Sequence, residues 1–248
     1  MVGRTPRTRE PAGLSAGRGT ERGTGGGTGR GTGRRIGIMG GTFDPIHHGH
    51  LVAAEEARWQ FGLERVLFVP TGRPWQKPVG VTAAEDRYLM AVIATASNPA
   101  FVVSRLEIDV PGPTYTVDTL RRLRDELGPG CRLFFVTGAD AVLQILSWKD
   151  PEEVFALAEL IAATRPGHDL SRLVEAVPAA AGRVHPMRIP ALAISSTDIR
   201  DRVAGGAPIR YLVPEGVARY IEKWGLYREA GAGGPGASAG VPSSTDLS

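Results

Sequence analysis

Residues 36–50 read Ile-Gly-Ile-Met-Gly-Gly-Thr-Phe-Asp-Pro-Ile-His-His-Gly-His, and this stretch constrains the fold of the chain more than any other. An apolar run, Ile36 to Met39, meets Gly40 and Gly41. A short polar turn leads to His47, His48, Gly49 and His50, and the amphipathic stretch Leu51 to Phe61 follows. The pattern predicts a strand, a glycine turn and a helix. Glycines at the strand end let the backbone turn sharply and let a ligand approach the main chain. The histidines fall at the predicted helix start, where free N–H groups and the helix dipole attract anions. His47 and His50 are three residues apart and share one helix face. One isolated histidine is more often a packing residue. Two co-facial imidazoles directly after a strand and a Gly-Gly turn form a more specific pattern, suited to holding a phosphate.

Around this stretch, strand-like and helix-like segments alternate from residue 34 to 228. Strands are expected at Arg65–Val69, Phe101–Ile108, Arg132–Val136, Leu160–Ala163 and Arg183–Ile189. Helices are expected at Thr82–Ser97, Thr116–Leu127, Ala139–Leu146, Pro151–Ala158, Leu170–Ala180, Ser196–Val203 and Glu215–Lys223. Thr82 with Glu85 reads as a capping box at the first of these. Strands separated by helices at this spacing predict an α/β fold, a Rossmann-like doubly wound parallel sheet with helices on both faces, in a single domain. Ligands in such folds sit beyond the carboxyl ends of the strands.

A second motif, Ile194-Ser195-Ser196-Thr197-Asp198-Ile199-Arg200, leads hydroxyl residues into a helix and places Arg200 one turn further in. Such a helix start can bind phosphate oxygens, and the arginine can add a bidentate contact. Taken alone, it reads more readily as an ordinary Ser/Thr cap with a solvated arginine, and the histidine motif at the other end of the domain reverses that preference. Gly138-Ala139-Asp140 follows a strand, and a carboxylate there can accept ribose hydroxyls. Trp148 follows Ser147 in a predicted turn, where an aromatic can stack on a planar ring or simply fill core. The chain contains no Gly-Lys-Ser/Thr, which disfavours a P-loop.

The first motif resembles the G-x-F-x-P-x-H-x-G-H signature of the nucleotidyltransferases whose catalytic core is similar to that of class I aminoacyl-tRNA synthetases. Gly41, Phe43, Pro45, His47, Gly49 and His50 match it. Ser195, Thr197 and Arg200 match the I-S-x-T-x-x-R motif of the same group. With the Tyr115-Thr116 and Ser147-Trp148 features, the stretch from Ile36 to Tyr227 is similar to the bacterial nicotinate-mononucleotide adenylyltransferases. The resemblance implies adenylyl transfer from ATP to nicotinate mononucleotide. It implies that His47, His50 and Arg200 are catalytic, and that Ser195, Thr197 and Arg200 hold the outer phosphates. It also implies that Gly40, Gly41, Thr42, Phe43, Lys77, Gly138 and Asp140 contact ATP. Trp148 would stack on the nicotinate ring, and Thr116, with backbone near Trp148 and Lys149, would bind its carboxylate. Mg²⁺ would bridge phosphate oxygens, with no protein-built metal site. Many members carry Pro-Pro-His-Lys where this chain has Pro74-Trp75-Gln76-Lys77, so Lys77 is retained and an imidazole is not.

Alternative acceptors are nicotinamide mononucleotide and phosphopantetheine. A non-catalytic nucleotide-binding regulator is a further alternative, which the intact His47, His50 and Arg200 argue against. Residues 1–35 carry eight arginines and two glutamates, +6 against +3 for the whole chain, so residues 36–248 carry −3. The basic character therefore lies in the tail and does not argue for nucleic-acid binding by the rest. The Gly/Arg/Thr-rich residues 1–33 and the Gly/Ala/Ser/Pro-rich residues 229–248 are expected to be disordered. The first tail reads as a solvated extension, as sequence upstream of the true start, or as a weak RNA-binding arm. The single cysteine, Cys131, forms no internal disulfide, and no apolar run has transmembrane length, so a cytoplasmic location is expected. A homo-oligomer is left open.

Overall fold

The computed structural model describes residues 33–74, 80–138, 141–142, 144–164, 180–190 and 192–228. Both predicted tails lie outside these residues, apart from Gly33. So do Trp75, Gln76, Lys77, Asp140, most of the helix expected at Leu170–Ala180 and part of the one at Ala139–Leu146.

The chain runs β1 (Arg34–Gly41), α1 (His48–Gln60), β2 (Arg65–Pro70), β3 (Arg73–Pro74), α2 (Ala84–Thr95), β4 (Phe101–Val103), β5 (Pro113–Thr114) and α3 (Thr116–Leu127). It continues through β6 (Cys131–Gly138), a 3₁₀ turn (Ile145–Ser147), α4 (Pro151–Leu157), β7 (Glu159–Thr164), β8 (Val184–Arg188), α5 (Ser196–Ala204) and α6 (Glu215–Trp224). Six strands form one sheet in the order β4-β2-β1-β6-β7-β8, and all five neighbour pairs are parallel. β3 and β5 form a separate two-stranded parallel ribbon. The path from β1 goes first to one side and then, from β6, to the other. Neighbouring loops therefore part above the carboxyl ends of β1 and β6, which opens a crevice there.

The period of two along the strands sorts the core into two layers. Ile36 and Ile38 of β1, Leu133 and Phe135 of β6, and Leu160 and Ala162 of β7 pack with Val117, Leu120 and Leu123 of α3 and Val154 and Phe155 of α4. Met39, Phe134, Val136 and Ile161 face the other way, against α1, α2, α5 and α6. α1 presents Ala53, Ala54 and Ala57 to the sheet, and these small side chains let its axis come close. The doubly wound α/β expectation is met.

Two local expectations are corrected. Thr82 does not cap α2; the cap residue is Ala83, with no side-chain bond. The Thr82 backbone is engaged elsewhere: its N–H reaches Asp44 Oδ2 at 3.3 Å and its carbonyl accepts from Arg87 Nε at 2.9 Å. Glu85 pairs with Arg105 instead of folding back. The strand expected over Phe101–Ile108 stops at Val103. Ser104 Oγ accepts the Leu106 N–H at 3.1 Å, and Arg105 grips Asp109 four residues on, so the backbone turns where alternation alone would extend it.

Candidate active site

β1 delivers Gly40 and Gly41 to the crevice. A Cβ on Gly40 would lie 3.2 Å from the Phe135 ring, and one on Gly41 3.1 Å from the Phe43 ring. Phe43 then adopts a left-handed backbone, with φ 51°. Its side chain is buried, edge-on to the His50 ring at 5.1 Å between centroids. The residue expected among the ATP contacts therefore uses its ring to brace a histidine, and only its backbone is free to face a nucleotide.

His47 is the cap residue of α1, and His50 lies one turn in. Their rings stack, with centroids 3.7 Å apart and planes 28° from parallel. The backbone N–H of His47 donates to His50 Nδ1 at 3.1 Å. That bond makes Nδ1 an acceptor, so in neutral His50 the proton resides on Nε2, which becomes a donor. Gly49 leaves room for the pair: a Cβ there would come within 3.0 Å of the His47 ring. Burial lowers the His47 pKa from 6.5 to about 4, with His48 adding to the effect. Burial, then His47, lowers His50 well below its ordinary value. Both rings are thus neutral donors and acceptors at neutral pH, with no bound anion.

This depression has a consequence for stability. Between about pH 6.5 and pH 4 the unfolded chain binds protons that the folded His47 refuses. Stability therefore falls as pH drops through that window, by roughly 1.4 kcal/mol per pH unit for one such group. Urea unfolding at pH 7 and pH 5 should show this loss, and a His47→Asn variant should show less of it. Equal losses in the two proteins would contradict the assignment.

α5 approaches from the far side of the sequence. Ser195 Oγ caps its own helix by accepting the Asp198 N–H at 3.1 Å. Ser196 Oγ donates to the Pro45 carbonyl at 2.9 Å, and Arg200 Nη1 donates to the Asp44 carbonyl at 2.7 Å. Arg200 Nη2 also contacts Thr197 Oγ1 at 3.3 Å. The amino termini of α1 and α5 are thereby held beside one loop. The buried Asp44 carboxylate is already engaged by the Tyr227 hydroxyl at 2.7 Å and the Thr82 N–H. No group of three or more His, Cys, Asp or Glu suited to a metal ion occurs among the described residues.

Two cavities flank the carboxyl ends of β1 and β6 and share Gly40 and Thr137 as a ridge. One, of about 370 Å³, is lined by His47, His50, Gly138, Ile189, Leu192 and Ile194 among others. The other, of about 190 Å³, is lined by Gly41, Thr42, Glu107, Thr116, Trp148 and Lys149 among others. Trp148 stands edge-on to Phe135 at 5.9 Å, and Lys149 Nζ turns to Asp118 at 3.0 Å over the Tyr115 ring. Of the sequence-predicted residues, His47, His50 and Gly138 line the larger lobe, Gly40 lies between the two, and Gly41, Thr42, Thr116, Trp148 and Lys149 line the smaller; Phe43, Ser195, Thr197 and Arg200 line neither. Missing from the sequence reading were Glu107, Phe135 and Thr137 in the walls, and Asp44, Arg87 and Tyr227 behind them.

The cytidylyltransferase-like family matches residues 38–202. A probable nicotinate-nucleotide adenylyltransferase of Leifsonia xyli is 62% identical over 194 residues, covering 78% of this chain and 94% of its own. The protein of the same name from Streptomyces coelicolor is 63% identical over 191 residues, covering 77% and 99%. The chain belongs to the nicotinate-nucleotide adenylyltransferase family. The fold of the family is also seen in the nicotinic acid mononucleotide adenylyltransferase of Plasmodium falciparum, solved with NaAD. That structure is 22% identical, with a TM-score of 0.66, and the match covers 78% of this chain and 97% of that one. Within the family frame, the matched span holds both motifs and both lobes up to Arg200 and ends before α6.

Proposed function

We propose that this chain transfers the adenylyl group of ATP to nicotinate mononucleotide, forming deamido-NAD and pyrophosphate. The observation that supports the reading is the stacked His47–His50 pair lining one lobe of a two-lobed cleft, with Arg200 of α5 tied to the Asp44 carbonyl of the same β1–α1 loop. The lobe lined by the histidines takes ATP, with Gly138 toward its ribose. The lobe lined by Thr116 and Trp148 takes the pyridine ring. Gly40, which presents no side chain on the ridge, lets the two phosphates approach over it.

The acceptor phosphate is the nucleophile. Its second pKa is about 6, so it is mostly a dianion at neutral pH and needs no strong general base. Its oxygen attacks the α-phosphorus in line, and pyrophosphate leaves with the electrons of the broken P–O bond. The chain aligns the reactants and stabilises charge as it develops. His50 Nε2–H donates to a phosphate oxygen, and His47 packs beside it. Arg200 clamps the outer phosphates, with Thr197 and the α5 amino terminus. Ser195, whose oxygen serves as the helix cap, keeps its own O–H as a donor. ATP arrives as its Mg²⁺ complex, the ion held by phosphate oxygens and water. Asp44, in the loop before the histidines, has both carboxylate oxygens occupied and so leaves the ion to the nucleotide. No helix among the described residues is long and apolar enough to cross a membrane. The buried, unpaired Cys131 suits the reducing cytoplasm, where we place the protein.

Pyrophosphate release with Mg-ATP tests the assignment. Nicotinate mononucleotide should react about tenfold faster or more than nicotinamide mononucleotide, as expected when a site loses one charge-assisted contact. Release with phosphopantetheine alone would discard the substrate and keep the chemistry.

A further inference from the structure

We propose that Arg87 and Glu107 are positioning residues for the ring-binding lobe, holding the chain at Gly72 so that the walls of that lobe stay at their working separation; this rests on the function proposed above.

Arg87 is 1% exposed, yet its side-chain nitrogens bond to backbone carbonyls and it forms no salt bridge among the described residues. Its three nitrogens donate to three carbonyls from separate chain segments. Nε reaches Thr82 at 2.9 Å, Nη1 reaches Thr42 at 2.7 Å and Nη2 reaches Gly72 at 2.9 Å. The first leads into α2, the second belongs to the β1–α1 loop, and the third immediately precedes β3. Burial works against the guanidinium charge, and Asp44 and Glu107 favour it. A buried charge is costly unless its donors are satisfied, so an apolar side chain would serve a simple core better.

Glu107 holds the same crossing from the other side. It is 8% exposed and lines the smaller lobe. Oε1 accepts the Thr119 hydroxyl of α3 at 2.6 Å, and the Gly72 N–H faces the carboxylate. The chain passes Glu107 so closely that a Cβ on Gly72 would sit 2.1 Å from the Glu107 carbonyl oxygen. Both backbone groups of Gly72 are therefore addressed by buried charged side chains. Next to it, the Thr71 N–H donates to the Gly41 carbonyl at 2.9 Å, which ties the crossing to the glycine turn. Thr42, Thr71 and Pro74 on one side, and Thr116 and Thr119 on the other, line the lobe. Two side chains thus set its width without needing to touch the ring. Glu107 lines this lobe and not the histidine lobe on the other side of the ridge, while Arg87 lies behind the walls.

The full-length Glu107→Gln and Arg87→Lys variants test this through a split between the two substrates. Each substitution keeps most of the volume and removes part of the donor–acceptor match. KM for nicotinate mononucleotide should rise about tenfold or more, and KM for ATP should stay within about threefold. Amide exchange gives an activity-independent reading: exchange at Thr71 should quicken about tenfold, with Ile38 and Val136 still protected. A merely structural role would lower the melting temperature and kcat together and leave both KM values alone, and that result overturns the proposal. So does unchanged Thr71 exchange. An inactive wild-type protein would count against the proposed reaction, and the exchange measurement would still decide the clamp.

Discussion

His50→Ala lowers turnover by about a hundredfold or more, the effect of removing one donor aimed at transition-state charge. The reason lies in a single hydrogen bond. Because the His47 N–H occupies His50 Nδ1, the Nε2 proton is pre-placed and need not be reorganised as charge develops. Alanine removes that donor and leaves the His47 N–H without its acceptor, which costs about 1–3 kcal/mol of stability if the group stays dry. It also takes the ring away from the edge contact with Phe43. Turnover and thermal unfolding should therefore be measured on the same sample. A variant that is folded and turns over near the wild-type rate would remove His50 from the mechanism.

Arg200→Ala has the second largest expected effect. Loss of a charged, two-pronged contact is worth about 1.5–3 kcal/mol, so kcat/KM for ATP should drop roughly ten- to a hundredfold. Before any nucleotide binds, one prong already rests on the Asp44 carbonyl and the other on Thr197. Arg200→Lys keeps the charge and loses the fork, so it should restore only part of the activity. Full recovery with lysine would mean that point charge alone is needed. An alanine variant with unaltered kcat/KM for ATP would place Arg200 outside the phosphate site.

The parts of this protein that could be read from its sequence are those whose causes are local. The strand end, glycine turn and histidine-led helix start lie within fifteen consecutive residues, and the apolar run Ile36–Met39 supplies both layers of the packing. What could not be read depends on distant partners. Asp44 and Tyr227 meet across 183 positions, and Arg87 and Thr42 across 45. No spacing rule announces such pairs. The false capping box at Thr82 shows the same limit, since a correct local signal lost to Asp44 and Arg87, which claim the Thr82 backbone. The motif marks Phe43 without saying which way its ring points, and the structure turns that ring onto His50.

The ridge formed by Gly40 and Thr137 also bears on how the cleft can be blocked. The lobes it separates are close enough to share lining residues, so one molecule could occupy both. Joining a weak fragment for the Thr116–Trp148 lobe to a weak fragment for the histidine lobe makes the second contact intramolecular, with a gain of roughly 10²–10⁴ in avidity when the tether fits. The tether must be slim where it passes Gly40, because the Phe135 ring stands where a Cβ on that residue would project and itself lines the smaller lobe. A bulky linker would forfeit the gain however well each end was chosen.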